Sequence, residues 1–158
     1  MKSLAVWVLL FELLIVAAPV WGRNIGPTED PTKISLGARP LGMGGAFVAL
    51  SDDGYAGLNN PAGLAELKRP YLSSMYASLL GDVNYTVGTV TLPVQINELK
   101  GSLAIGFAGS SIASLINPSQ SGITYFDYYN NVWLVGGGFP VSLFDHPINF
   151  GSSLKLFY

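Results

Sequence analysis

The sequence predicts an all-β protein: an antiparallel transmembrane β-barrel, of which about five strands are present, behind an N-terminal segment containing short helical turns. Three observations point there. Charged residues make up only 11% of the chain, where soluble proteins carry roughly 25%. The candidate strands run about nine to thirteen residues, longer than the ~5–6 usual in soluble sheets and suited to the ~9–11 that cross a bilayer. Within them, apolar residues alternate with small or polar ones.

The first element, residues 1–22, reads "MKSLAVWVLLFELLIVAAPVWG". Lys2 precedes an apolar run from Leu4 to Ala18, about the length of a signal-peptide core and short of the ~20 residues of a spanning helix. Val20 and Gly22 suit cleavage before Arg23, so export by signal peptide is expected. Glu12 within the run and Trp21 beside the cleavage point leave an uncleaved N-terminal anchor as the alternative.

Residues 23–70 form the second element. The part from Arg23 to Leu36 is polar, is broken by Pro27 and Pro31, and reads as an extended lead-in. "RPLGMGGAFVALSDDGYAGLNNPAGLAEL" follows, from Arg39 to Leu67. Its glycines fit neither nucleotide fingerprint. Phe47 stands where G-x-G-x-x-G starting at Gly42 needs glycine, and no Gly-Lys-Ser/Thr follows. Gly42, Gly44 and Gly45 read instead as small residues for close backbone packing against a wall. Asp52 and Asp53 fail the calcium-loop pattern and suit a turn. Asn60 can cap a helical turn that Pro61 opens and Ala62 continues, a rigid elbow.

Residues 71–158 carry the strands, expected at 72–80, 85–94, 101–112, 131–143 and 148–158. Leu103, Ile105 and Phe107 share one face of the third, opposite Ser102, Ala104, Gly106 and Ala108. In the fifth, Ile148, Phe150, Leu154, Leu156 and Tyr158 oppose Asn149, Gly151, Ser153 and Lys155. One apolar face and one small or polar face is what lipid outside and a filled lumen require. "QINELK" and "FDHP" read as short periplasmic turns. "GDVN" and a long 113–130 segment read as extracellular loops. Tyr125, Phe126, Tyr128, Tyr129 and Trp133 are expected at or above the outer interface. Five strands cannot close a membrane barrel, which needs at least ~8. The expectation is therefore the N-terminal part of a longer protein, or a barrel shared by several chains, although the terminal Tyr158 loosely matches the aromatic ending of complete barrels.

Chemistry is sparse. The formal net charge of −2 supplies no basic patch for nucleic acid. The absence of cysteine removes disulfides and thiolate catalysis. His146, the only histidine, lies in a turn without a nucleophile–base partner. No enzymatic activity, metal or cofactor is expected.

The 39–67 stretch resembles the N-terminal signature of the PorV/PorQ family, within the wider FadL-like group of outer-membrane barrels. Arg39, Leu41, Gly42, Gly44, Gly45, Ala46, Phe47, Val48, Ala49, Asp52, Asp53, Asn60, Pro61, Ala62, Gly63 and Leu64 carry the likeness. It implies a barrel of about fourteen strands with the N-terminal segment folded into the lumen as a hatch. It also implies hatch or gating roles for Arg39, Gly42, Gly44, Gly45, Asp52, Asp53, Asn60, Pro61 and Ala62. The expected location is the outer membrane of a diderm bacterium, in contact with its lipid. The expected function is hatch-gated passage of a hydrophobic solute such as a fatty acid. The alternatives are a non-transporting barrel partnering secretion or surface-attachment proteins, and a secreted soluble β protein.

Overall fold

The computed structural model describes residues 30–34, 36–79, 83–96, 99–119, 122–143 and 146–158. The signal peptide expected at residues 1–22 and the tips of the four strand connections lie outside the described residues. Five strands form one antiparallel sheet in chain order: β1 (Tyr71–Leu79), β2 (Val83–Ile96), β3 (Leu99–Ser119), β4 (Gly122–Leu143) and β5 (His146–Phe157). Only neighbours in sequence pair, and β1 and β5 do not meet, so this sheet is open. Each expected strand falls on one of these elements.

The extracellular loop expected at 113–130 is corrected. β3 continues to Ser119 and β4 starts at Gly122, so most of that segment is ladder. β2 begins at Val83, opposite Ile112, and Tyr158 pairs with Asn131. Beyond those points β3 and β4 pair only with each other among the described residues. A register shift falls between Ile112 and Leu115, where β3 carries one residue more than its partner. This is why period-two alternation lapses there in the sequence. The two strands, 21 and 22 residues long, reach roughly 70 Å at ~3.3 Å per residue.

The sheet's faces differ in kind. Across one run the registered rows Leu72–Val90–Ile105–Val135–Leu154 and Ser74–Gly88–Phe107–Trp133–Leu156. In the first row every side chain is between 38% and 83% exposed. Phe107 and Trp133 meet with ring centroids 5.1 Å apart. Across the other face run Tyr71–Thr91–Ala104–Gly136–Ser153 and Ser73–Thr89–Gly106–Leu134–Lys155. Here Thr89, Thr91, Ala104, Ala108, Val132 and Leu134 are buried, because the N-terminal segment covers them.

That segment is a string of short turns: 3-10 turns at Pro31–Lys33, Ala46–Ala49 and Pro61–Glu66, and single α-turns at Ala38–Gly42 and Ala56–Asn59. None has the length to hold a helix alone, so packing against the sheet must supply its stability. One cluster joins Leu36 and Leu58 to Tyr85, Val87, Ala108 and Leu134. A second joins Ala56, Leu64 and Leu67 to Ala104. The lead-in is corrected in part. Asp30 caps the Pro31–Lys33 turn, Pro31 is buried, and Leu36 is a core residue.

Candidate functional site

The site is the contact between the 30–67 segment and the small-residue face of the sheet. Strand hydroxyls hold backbone carbonyls of the segment. Thr89 Oγ1 donates to Gly54 O at 2.8 Å, and Ser102 Oγ donates to Leu67 O at 3.0 Å. Tyr55 Oη donates to Ser74 O on β1 at 2.9 Å. Partial burial, with Asp53 nearby, raises the Tyr55 pKa above its ordinary value, so this donor keeps its proton at neutral pH. On β5, Asn149 Nδ2 donates to Glu66 Oε1 and Lys155 Nζ to Thr32 Oγ1, both at 2.7 Å.

The elbow sits on two strand glycines. A Cβ added at Gly151 would collide with backbone atoms of Pro61 and Ala62. One added at Gly138 would collide with Pro61 O and lie 2.8 Å from Leu64 Cβ. Within the segment, a Cβ at Gly63 would strike the carbonyl of buried Ser51, whose φ is +36°. Gly57 lies over Ala104 and Leu134. Glycine allows backbone to approach backbone at these points.

The residues singled out from the sequence fall into two groups. Pro61 and Ala62 touch the sheet. Asn60 shapes that elbow, with Oδ1 accepting from Ala62 N at 3.1 Å and Nδ2 donating to Val48 O at 3.0 Å. Arg39, Asp52 and Asp53 meet each other on the segment's exposed side. The Arg39 guanidinium grips Asp52 with two nitrogens, lies 3.7 Å from Asp53 Oδ2 and stands 5.3 Å over the ring of buried Phe47. Asp53 Oδ1 also accepts from Tyr55 N at 2.8 Å.

The hydrogen bond from Arg39 holds the Asp52 carboxyl below its ordinary pKa. A carboxyl depressed in the folded state favours folding above its unfolded value of ~4 and loses that contribution as pH falls further. The clamp therefore stays charged throughout the neutral range. Among the described residues no cluster of three metal-ligating side chains forms.

The packing role expected for Gly42 and Gly44 is corrected. A Cβ at Gly42 or Gly44 would meet nothing within 4 Å. Gly44 and Gly45 instead have φ of +61° and +84°, so they turn the chain where L residues are disfavoured. The close-contact glycines that were missed are Gly138 and Gly151. The signal for Gly138 was the Gly136–Gly138 run inside a strand, and for Gly151 a single glycine within one.

Replacing Asn60 with alanine removes both side-chain bonds at the elbow. A lost cap of this kind costs about 1 kcal/mol, so proteolysis of the 39–67 stretch through local opening should quicken about five-fold. Asn60→Asp, which keeps the acceptor for Ala62 N, should fall between. An unchanged rate in the alanine variant would show that the cap does not hold the elbow.

Comparisons of the chain with protein-family models, curated proteins and solved structures return no match.

Proposed function

We propose that this chain forms part of the wall of an outer-membrane β-barrel, and that its 30–67 segment is a luminal hatch governing passage of a hydrophobic solute such as a fatty acid. The observation that carries the reading is the contrast between the faces. The segment covers the small-residue face, while the opposite face presents rows of exposed Leu, Val, Ile, Phe and Trp. Water makes that pattern costly and lipid makes it favourable. From Trp133 to Val141, β4 covers roughly 26 Å of strand at ~3.3 Å per residue. A tilt of ~40° brings this near 20 Å, comparable with the ~25 Å apolar band of such barrels. The resemblance of the 39–67 stretch to the PorV/PorQ signature supports the same reading.

A cross-link tests the gating. The chain has no cysteine, so Glu66→Cys and Asn149→Cys place the only thiols where the native side chains meet at 2.7 Å. A short bis-methanethiosulfonate reagent, which forms a disulfide with each thiol as methanesulfinate leaves, should tie hatch to wall, and a reductant should cleave it. Uptake of labelled fatty acid by cells producing the protein should fall on cross-linking and return on cleavage. Uptake that persists when cross-linking is complete rules out hatch movement as the gate.

The β3–β4 hairpin gives a second reading. Its extension beyond β2 and β5 offers a surface to a protein partner, as a barrel serving secretion or surface attachment requires. No uptake in either state, with secretion components co-purifying, would favour that role.

A further inference from the structure

We infer that a notch on the exposed apolar face binds the neutral sugar headgroup of a membrane glycolipid. The inference rests on the membrane reading above and adds a ligand site outside the hatch.

The notch has a volume of about 210 Å³ and is lined by Asn84, Thr86, Phe107, Gly109, Tyr129 and Asn131, among others. Strand pairing explains its position. Thr86, Gly109 and Asn131 are successive partners in one row across β2, β3 and β4, and Asn84, Ser111 and Tyr129 in the next. Gly109 is the floor. A Cβ there would lie 2.7 Å from Asn131 Oδ1 and 3.0 Å from the Phe107 ring. Glycine there lets the Asn131 amide and the Phe107 ring close over the β3 backbone as part of the notch's lining.

The lining selects the ligand. Asn84, Thr86 and Asn131 carry amides and a hydroxyl, groups that both donate and accept, as sugar hydroxyls do. No Lys, Arg or His lines the notch, so nothing there neutralises a phosphate. Tyr129, 66% exposed, and Phe107 supply ring faces for the C–H side of a sugar. Tyr76 Oη donates to Asn84 Oδ1 at 3.0 Å and fixes that amide.

Location selects the source. The row next to the notch is Ser74–Gly88–Phe107–Trp133–Leu156, and Leu72–Val90–Ile105–Val135–Leu154 follows. The notch therefore sits where polar side chains give way to the apolar band, among Tyr and Trp residues of the kind that settle at membrane interfaces. A lipid whose acyl chains lie along the band would hold its headgroup at this level. A free sugar would use only the notch.

The test uses the full chain in nanodiscs containing equal amounts of a glucosyl-diacylglycerol and a phosphatidylcholine, with retained lipid read by native mass spectrometry. The glycolipid should be retained at least five-fold over phosphatidylcholine. Gly109→Leu, whose side chain would displace the Asn131 amide and the Phe107 ring from the lining, should abolish that preference. Asn131→Ala, a milder change that keeps the strand ladder, should reduce it several-fold. Equal retention of both lipids by the unmodified chain overturns the inference, as does a preference unchanged in both variants. Binding of glucose with no preference for the glycolipid overturns the lipid source. Failure of the chain to enter nanodiscs at all overturns the membrane reading on which the site depends.

Discussion

Ile105→Arg should abolish recovery of the chain as an integral membrane protein. Ile105 lies in the middle strand of the exposed apolar row and is itself 51% exposed. On a lipid-facing barrel surface, arginine near the midplane costs about 2–4 kcal/mol, a large fraction of a marginal folding free energy. On a water-facing sheet the same change would fall within about 0.5 kcal/mol, since it buries nothing and breaks no bond. The two solvents thus predict different outcomes from one substitution. His146→Arg, at the exposed start of β5, should change recovery little in either case. The measurement is the share of folded protein left in membranes after a urea wash. Equal recovery for Ile105→Arg and the parent chain would remove the lipid-facing assignment.

Gly151→Val should loosen the 30–67 segment from the sheet. Strand propensity acts in the opposite direction, because replacing glycine by valine in a ladder is favourable by up to ~1 kcal/mol. The contact decides the sign. The new Cβ meets backbone of Pro61 and Ala62, and a backbone elbow held by a cap cannot swing aside as a side-chain tip can. Overpacking of this kind costs about 1–3 kcal/mol. Trypsin should then cut after Lys33, whose neighbour Ile34 packs on the core, more than ten-fold faster. Gly88→Val is the comparison, since an added Cβ there has no neighbour within 4 Å and only propensity remains. Should both valine variants protect the segment, the elbow does not rest on β5.

The strands were legible because burial on one face imposes period two, which runs through "SLAIGFA" and, interrupted only at Ser152, through "INFGSSLKL". The β3–β4 extension was not, because the shift between Ile112 and Leu115 breaks the period while leaving the ladder intact. "NPSQSG" also makes its surroundings resemble a loop. At the candidate site, the local features could be read: Asn60 as a cap, Pro61 as the first residue of a turn, Asp53 as a turn former. The contacts made at a distance could not. Glu66 and Asn149 are 83 positions apart, and nothing near either residue announces the other. The cluster of Gly42, Gly44 and Gly45 drew attention through its density, but Gly42 and Gly44 make no close contact, and Gly44 and Gly45 turn the chain. Gly138 and Gly151 make the contact and look like ordinary weak points in a strand.

The hydroxyls that hold the segment also bear on how it could leave. Thr89 and Ser102 donate to its carbonyls, and each such bond contributes only about 0.5–1.5 kcal/mol net, because water can replace either partner. Leu36, Leu58 and Leu64 are at most 7% exposed, and re-exposing a leucine costs about 1.5–3 kcal/mol. Separation would thus exchange polar partners at little net cost while newly wetting three leucines and the apolar wall beneath them. An amphiphile could offset much of that second cost by laying its chain where the leucines had been and leaving the wall hydroxyls to water.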